Sequence, residues 1–258
     1  MYGDKLNAEE IKSYLGNLPV ALRVYDTIDS TNTEAKRYAI DGGAVPCAFL
    51  AEQQTAGRGR MGRSFYSPDG TGIYLSLLIP AETDGSDGVL VTTAAAVAVW
   101  RAIRCVCGIR TEIKWVNDLY YNGKKICGIL AESFFVEDKR YYVVGVGVNL
   151  YTTEFPPELT HVAGGLLTTE MGLRGRLAAQ TVHHLYELIG KTDRTDVMED
   201  YRANSMVLGR EITYTENGES YQGVAESVDD RGHLTVRRKD GSRVILASGE
   251  ISLRLNKT

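Results

Sequence analysis

The stretch from Ala51 to Arg63, AEQQTAGRGRMGR, sets Arg58, Arg60 and Arg63 within six residues, among three glycines and with no acid between them. Guanidinium groups grip phosphate and carboxylate oxygens through paired N–H donors, so such a loop suits an anion. Like charges on a flexible loop repel. The loop is therefore expected to be poorly ordered when empty and to order when an anion supplies the counter-charge. A solvated basic loop is the blander and commoner fate of a charge run. The glycines and the acidic remainder of the chain favour the anion. Gly57, Gly59 and Gly62 also match the dinucleotide fingerprint G-x-G-x-x-G, but that motif must open directly into a helix. The following residues, RSFYSPDG to Gly70, hold turn formers and Pro68 instead, so the match is a false lead.

A second cluster runs KWVNDL from Lys114, YYNG to Gly123, and KKICGIL to Leu130. A strand, a turn at Asn122-Gly123 and a returning strand would bring Lys125 toward Asn117 and Asp118. An amine, a carboxamide and a carboxylate at strand ends suit a phosphate, a metal and a proton acceptor. A surface hairpin with a solvated ion pair fits the local pattern equally well. Further on, YVVGVGVNL from Tyr142 to Leu150 alternates Gly145 and Gly147 before Asn149. Glycines spaced by two in a strand mark close approach of a ligand or backbone. They could equally make room for the bulk of Trp115 or Phe134. His161, His183, His184 and His233 share no metal-ligand spacing and take no role.

These segments need elements to hold them. Ala8 to Leu15 reads as a helix with Asn7 as N-cap and Glu10 completing a capping box. Val20 to Tyr25, Ala48 to Ala51, Gly72 to Pro80 and Ile113 to Val116 read as strands. A helix over Glu34 to Ile40 follows Ser30-Thr31-Asn32 and stops at Gly42-Gly43. Val89 to Val106 reads as a buried helix. Ile126 to Val136 and Arg140 to Leu150 form a hairpin about Glu137-Asp138-Lys139. Gly172 to Ile189 and Val197 to Ala203 are amphipathic helices. After Leu208, short alternating segments punctuated by Asn217-Gly218, Arg231-Gly232 and Asp240-Gly241 suggest a small β-barrel. The expected fold class is α+β, with residues 1–206 as the main body and 207–258 as a second domain.

Composition narrows the function classes. The 258 residues carry 29 Lys and Arg against 33 Asp and Glu, a net charge of −4, and 43% are hydrophobic. Disorder, collagen and coiled coils are excluded by these fractions, and a chain built for nonspecific nucleic-acid binding has the opposite sign. Cys47, Cys105, Cys107 and Cys127 form no CxxC pair, so neither a zinc site nor a disulfide framework is expected. The N-terminus has acids where a signal peptide needs a basic start and an apolar run. The uncharged run Gly88 to Trp100 is shorter than the ~20 residues of a spanning helix. The chain reads as cytoplasmic, with no membrane segment.

Taken in order, Ser30-Thr31-Asn32, EQQTAGRGR from Glu52 through Arg63, Ser67-Pro68, KWVND to Asp118, KICGIL from Lys125, and GVGVN to Asn149 resemble the biotin–protein ligases. The resemblance implies a mixed sheet with flanking helices, the biotin ligase catalytic fold related to class II aminoacyl-tRNA synthetases, followed by a C-terminal SH3-like β-barrel. It implies two half-reactions with ATP, biotin and Mg²⁺. Biotin's carboxylate attacks the α-phosphate to give biotinyl-5′-AMP, and a lysine of a biotin carboxyl carrier domain of a biotin-dependent carboxylase then takes the biotinyl group.

By position, the resemblance puts Ser30, Thr31, Asn32, Gln54 and Arg58 on biotin, with Gly128 against that pocket. Arg60 retains the adenylate, and Arg63 belongs to the closing loop. Phe65 lies over the adenine, where the family often has tryptophan, Lys114 and Asn117 lie on the nucleotide side, and Asn149 is among the binding residues. Lys125 stands between biotin carboxylate and phosphate, and Asp118 helps the acceptor amine lose its proton. Catalysis is thus expected of Lys125, Arg60 and Asp118, while metal ligands are not identified. Only 29 residues precede Ser30, too few for a winged helix-turn-helix, so no specific DNA binding is expected; a monomer or a homodimer is compatible with the family. A lipoate–protein ligase-like acyltransferase and a non-catalytic biotin sensor are the competing readings.

Overall fold

In the computed structural model, residues 4–81, 88–169, 171–191, 193–216 and 218–253 are described. Asn217 of the expected Asn217-Gly218 turn lies outside them. A seven-stranded mixed sheet contains β1 (Ala21–Ile28), β2 (Cys47–Gln54), β3 (Ile73–Pro80), β4 (Glu112–Lys114), β5 (Asp118–Tyr121), β6 (Lys124–Val136) and β7 (Lys139–Val148). Its order is β1-β2-β3-β7-β6-β5-β4. Only β1 and β2 run parallel; every other neighbouring pair is antiparallel. The expected hairpins form. Asn122 and Gly123 both take positive φ, 49° and 73°, which is the backbone a two-residue turn between twisted strands requires.

The central strands are apolar on both faces because helices cover both. Helices α1 (Ala8–Leu15), α3 (Gly88–Cys107), α4 (Arg174–Ile189) and α5 (Thr195–Ala203) contribute to the larger apolar core. Helix α2 (Thr31–Ile40) closes the other face through Ala35 and Ala39 against Phe49, Leu78 and Val143. Helix α3 is 20 residues long and apolar, longer than the uncharged run in the sequence, and most of its apolar window is buried inside the protein. At α1, Asn7 Oδ1 accepts from the amides of Glu9 and Glu10, as expected of an N-cap. The Glu10 carboxylate accepts from the Tyr14 hydroxyl, so the expected reciprocal half of the capping box is not made.

Arg174, only 1% exposed, opens α4 beneath the sheet. Its guanidinium pairs with Glu52 of β2 at 2.6 Å and donates to the carbonyls of Gly72 and Asp4. Glu52, which begins the arginine-loop motif, is thereby a strut and not a group facing that loop.

After α5 the chain forms a five-stranded antiparallel sheet: β8 (Glu211–Glu216), β9 (Glu219–Val228), β10 (Leu234–Arg238), β11 (Arg243–Leu246) and β12 (Ile251–Leu253), in the order β11-β10-β9-β8-β12. The arrangement is SH3-like. Ile212, Tyr214, Leu234 and Val236 share one apolar core with Ile113 and Trp115 of the first sheet. A turn between β9 and β10 is pinned to the larger body, where the Trp115 indole donates to the Gly232 carbonyl at 3.0 Å.

Candidate functional site

The period-two register of four strands builds a floor under α2. Across β2, β3, β7 and β6, one row reads Phe49, Ser76, Gly145 and Leu130. The next row reads Ala51, Tyr74, Gly147 and Gly128. Where a bulky row would seal the face, three glycines lower it. A Cβ on Gly145 would stand 2.1 Å from Asn32 Oδ1, and one on Gly147 would stand 2.4 Å from the Phe65 ring. The alternate glycines therefore admit Asn32 and Phe65, and not Trp115 or Phe134. The three polar residues at the start of α2 lie above this floor, each at most 4% exposed.

A hydrogen-bond chain fixes Thr31 and Asn32. Gln54 Oε1 accepts from the Thr31 amide at 2.9 Å, Gln54 Nε2 donates to Ser67 Oγ at 2.9 Å, and Ser67 Oγ donates to the Phe65 carbonyl at 3.1 Å. Ser76 Oγ lies 2.7 Å from Thr31 Oγ1 and 2.6 Å from Asn32 Oδ1. Asn32 Nδ2 donates to Glu132 at 2.9 Å and to the Leu130 carbonyl at 3.3 Å. Asn32 thus spends both ends of its amide on the protein.

The arginine loop does not match the picture of unpartnered, mutually repelling charges. Its backbone closes on itself, with the Phe65 amide on the Gly57 carbonyl at 2.9 Å and the Gly59 amide on the Arg63 carbonyl at 2.7 Å. Each arginine meets a group from a different element: Arg58 meets Glu132 at 3.1 Å, Arg60 meets Asn117 at 3.1 Å, and Arg63 meets Glu250 at 2.6 Å. The acids missing from the loop's own sequence arrive from 74 and 187 residues away. The repulsion argument counted charges along the sequence only, and so missed these partners.

The Asn122-Gly123 turn returns β6 onto β5, and Lys125 Nζ lies 2.7 Å from Asp118 Oδ1. Gly128 lets both Phe65 and Lys125 pack close, since a Cβ there would meet them at 3.2 and 3.3 Å. Ser30, Thr31, Asn32, Gln54, Arg58, Arg60, Arg63, Phe65, Asn117, Asp118, Lys125 and Gly128 all line one cavity. Lys114 and Asn149 do not. They line an adjoining cavity, walled by Tyr66, Phe155, Leu159 and Val162, that shares Arg63, Phe65, Asp118 and Lys125 with the first. There Asn149 Oδ1 is buried without a hydrogen-bond partner. Burial holds the Lys114 ammonium below its usual pKa, with Asp118 opposing the shift and Lys125 adding to it.

Four neighbours escaped the sequence reading: Lys36, Ser76, Glu132 and Glu250. Two left a signal. Ser76 is the one serine or threonine within the apolar run IYLSLLIP. Glu132 follows Gly128 and Leu130 at spacing two, and so shares their face of β6. Glu250 left none, because only the folded chain brings β12 to the loop. Among the described residues no three His, Cys, Asp or Glu gather as a metal cage. The cavity's carboxylates, Asp118 and Glu250, are each already paired with a cation.

Comparison with known proteins agrees with this geometry. Residues 24–149 match the biotin/lipoate A/B protein ligase family, and residues 207–254 match the biotin protein ligase C-terminal domain. The bifunctional ligase/repressor BirA of Bacillus spizizenii is 31% identical over 86% of this chain and 71% of its own. A biotin–[acetyl-CoA-carboxylase] ligase of Paracoccus denitrificans is 30% identical over 85% of this chain and 95% of its own. The biotin protein ligase of Aquifex aeolicus, solved with biotin and ATP, superposes with a TM-score of 0.78 at 25% identity, covering 91% of this chain and 98% of that one.

Proposed function

The chain belongs to the biotin protein ligase family, and from that premise we infer that it uses ATP to ligate biotin to a lysine of a carboxylase carrier protein through biotinyl-5′-AMP. The observation that carries this reading is the junction of two cavities at the Lys125–Asp118 pair, 2.7 Å apart. One cavity is polar and glycine-floored and suits the biotin ring. Its neighbour has aromatic and aliphatic walls and suits a purine. The reacting carboxylate and α-phosphate then meet where the pair sits.

Bringing two anions together needs preorganised positive charge at the point where charge accumulates. Lys125 supplies it at the junction, with Arg58, Arg60 and Arg63 on the loop above. As the carboxylate oxygen bonds to the α-phosphorus, pyrophosphate leaves, and the loop keeps water from the mixed anhydride. Ser30, Thr31 and Gln54 offer the hydroxyl and amide groups that a ureido ring's N–H and C=O require. Asn149 Oδ1, buried and unpartnered, offers the adenine amino group an acceptor, with Phe65 along the base and Lys114 and Asn117 toward the phosphates. In the second step Asp118 takes a proton from the acceptor lysine's ammonium, the free amine attacks the biotinyl carbonyl, and AMP leaves as the amide forms.

Mg²⁺ is expected with the triphosphate. The chain has no preformed cage of three or more ligands among its described residues, so phosphate oxygens and water would supply most of the coordination. We take residues 1–206 as the part that holds biotin and nucleotide, and 207–258 as a second domain that closes on the loop. The deciding experiment incubates the chain with ATP, Mg²⁺, labelled biotin and a carrier domain. Label on the carrier supports the ligase. Transfer from lipoate alone would support an acyltransferase of the lipoate branch, and binding without adenylate would support a sensor.

A further inference from the structure

Glu132 is the busiest side chain around the candidate biotin cavity, yet it lies outside the cavity's lining. Its carboxylate accepts from three residues of two other elements: Asn32 Nδ2 at 2.9 Å, Lys36 Nζ at 2.9 Å, and the Arg58 fork at 3.1 and 3.3 Å. The group is 19% exposed, Lys36 is 27% and Arg58 is 44%. Burial alone would raise the Glu132 pKa, but Lys36, Asn32 and Arg58 outweigh it and hold the group below its usual value. One ionised carboxylate therefore faces two cations.

Of those cations, only Arg58 also lines the cavity. We propose that Glu132 is a positioning residue that holds Arg58 in reserve beside the cavity, and that Lys36 is the standing counter-ion that lets Arg58 leave for a substrate carboxylate. The proposal rests on the reading of the cavity as a biotin site. When Arg58 turns to the ligand, Glu132 keeps Lys36 and Asn32, so no carboxylate is stranded in a mostly buried position. A lone arginine–glutamate pair at this depth would resist such release, because removing one partner leaves the other charge uncompensated. With Lys36 present the exchange is between near-equals: Arg58 leaves one carboxylate and gains another. Glu132 thus competes with the biotin carboxylate for Arg58 without touching biotin.

The competition has a signature that general loosening of the pocket lacks. Biotinol carries the same bicyclic ring but an uncharged hydroxymethyl group in place of the carboxylate. The measured quantity is the preference for biotin over biotinol, the ratio of their Kd values by calorimetry on the full chain without ATP. Glu132→Gln removes the competing charge while keeping the shape and one accepting oxygen, and should raise the preference about two- to fivefold, the range of a partly exposed ion pair. Lys36→Met leaves Glu132 dependent on Arg58, and should lower the preference by a similar factor. Merely structural damage would weaken both ligands alike and leave the ratio unchanged. An unchanged ratio in both variants, or shifts of the same sign, would overturn the proposal. Should Glu132→Gln fail to fold, as judged by its melting curve, the sign of the Lys36→Met shift decides. Failure of the unaltered chain to bind biotin at all would instead refute the cavity assignment.

Discussion

Lys125 and Asp118 share one ion pair but are assigned to different half-reactions, which makes their single substitutions informative. Removing a preorganised charge at the point of attack typically costs about 10²–10³ in rate, or ~3–4 kcal/mol. Lys125→Ala should lose that much of its adenylation rate while still transferring biotin from synthetic biotinyl-adenylate. Asp118→Asn should form adenylate at near-normal rate and transfer poorly. Because the two side chains touch at 2.7 Å, each variant also frees the other's partner, and the double variant should fall short of additive. Single-turnover measurement of the two steps checks this, and wild-type adenylation by Lys125→Ala would remove the role given to that lysine. Lys114 offers a second test. Burial lowers its pKa from 10.5, so the folded state resists its protonation. That penalty is fully present below the folded pKa and disappears as pH rises toward 10.5. Lys114→Met should therefore melt about 2–4 °C higher at pH 7, the shift of ~1 kcal/mol in a chain of this size. It should lose ATP affinity, and its thermal advantage should shrink in alkaline buffer. A lower melting point at pH 7 would mean that Lys114 is well compensated in the empty site.

At the scale of elements, much of the site was legible because it depends on period-two and period-3.6 patterns. The hairpin about Asn122-Gly123, the strand through Gly145 and Gly147, and the polar start of α2 could each be read locally. What each faces could not. The partners of those two glycines, Phe65 and Asn32, stand 82 and 113 positions earlier in the chain, and spacing within one strand does not name what crosses it. The counter-charges of the arginine loop escaped for the same reason, since they lie on β6 and beside β12. Gly147→Ala puts the observed packing to work. The new methyl group would sit 2.4 Å from the Phe65 ring, which must move. Phe65 lines both cavities, so its displacement should weaken ATP and biotin together. Overpacking of this kind costs about 1–3 kcal/mol, so a folded but less stable protein is expected. Unchanged ATP and biotin affinities in that variant would show that Phe65 is not held by the β7 floor.

At the scale of the molecule, the second sheet is part of the site. Glu250 reaches Arg63 on the loop at 2.6 Å, and the turn at Gly232 receives the Trp115 indole three residues before Asp118. Arg202 of α5 ties the same region by donating to the Val228 carbonyl at 2.6 Å and by pairing with Asp230. Gly232 is the tightest point of this joint. Its φ of +83° lies in the left-handed region, and a Cβ there would stand 3.0–3.2 Å from Thr93 and Val89 of α3. Left-handed backbone costs an L side chain roughly 1–2 kcal/mol before any crowding is counted. Gly232→Ala should therefore lower the melting temperature by several degrees. Its second effect distinguishes a joint from mere ballast. If the turn steadies Trp115, the variant should adenylate more slowly at saturating biotin and ATP, because Asn117 and Asp118 follow Trp115 directly. Asp240-Gly241 provides the control, as Gly241 also has positive φ, 85°, but no atom within 4 Å of its Cβ position. Gly241→Ala should lose similar backbone stability and keep its adenylation rate. Equal adenylation rates in the two variants would show that the second sheet contributes stability alone, and that its hold on the segment carrying Asn117 and Asp118 does not reach adenylation.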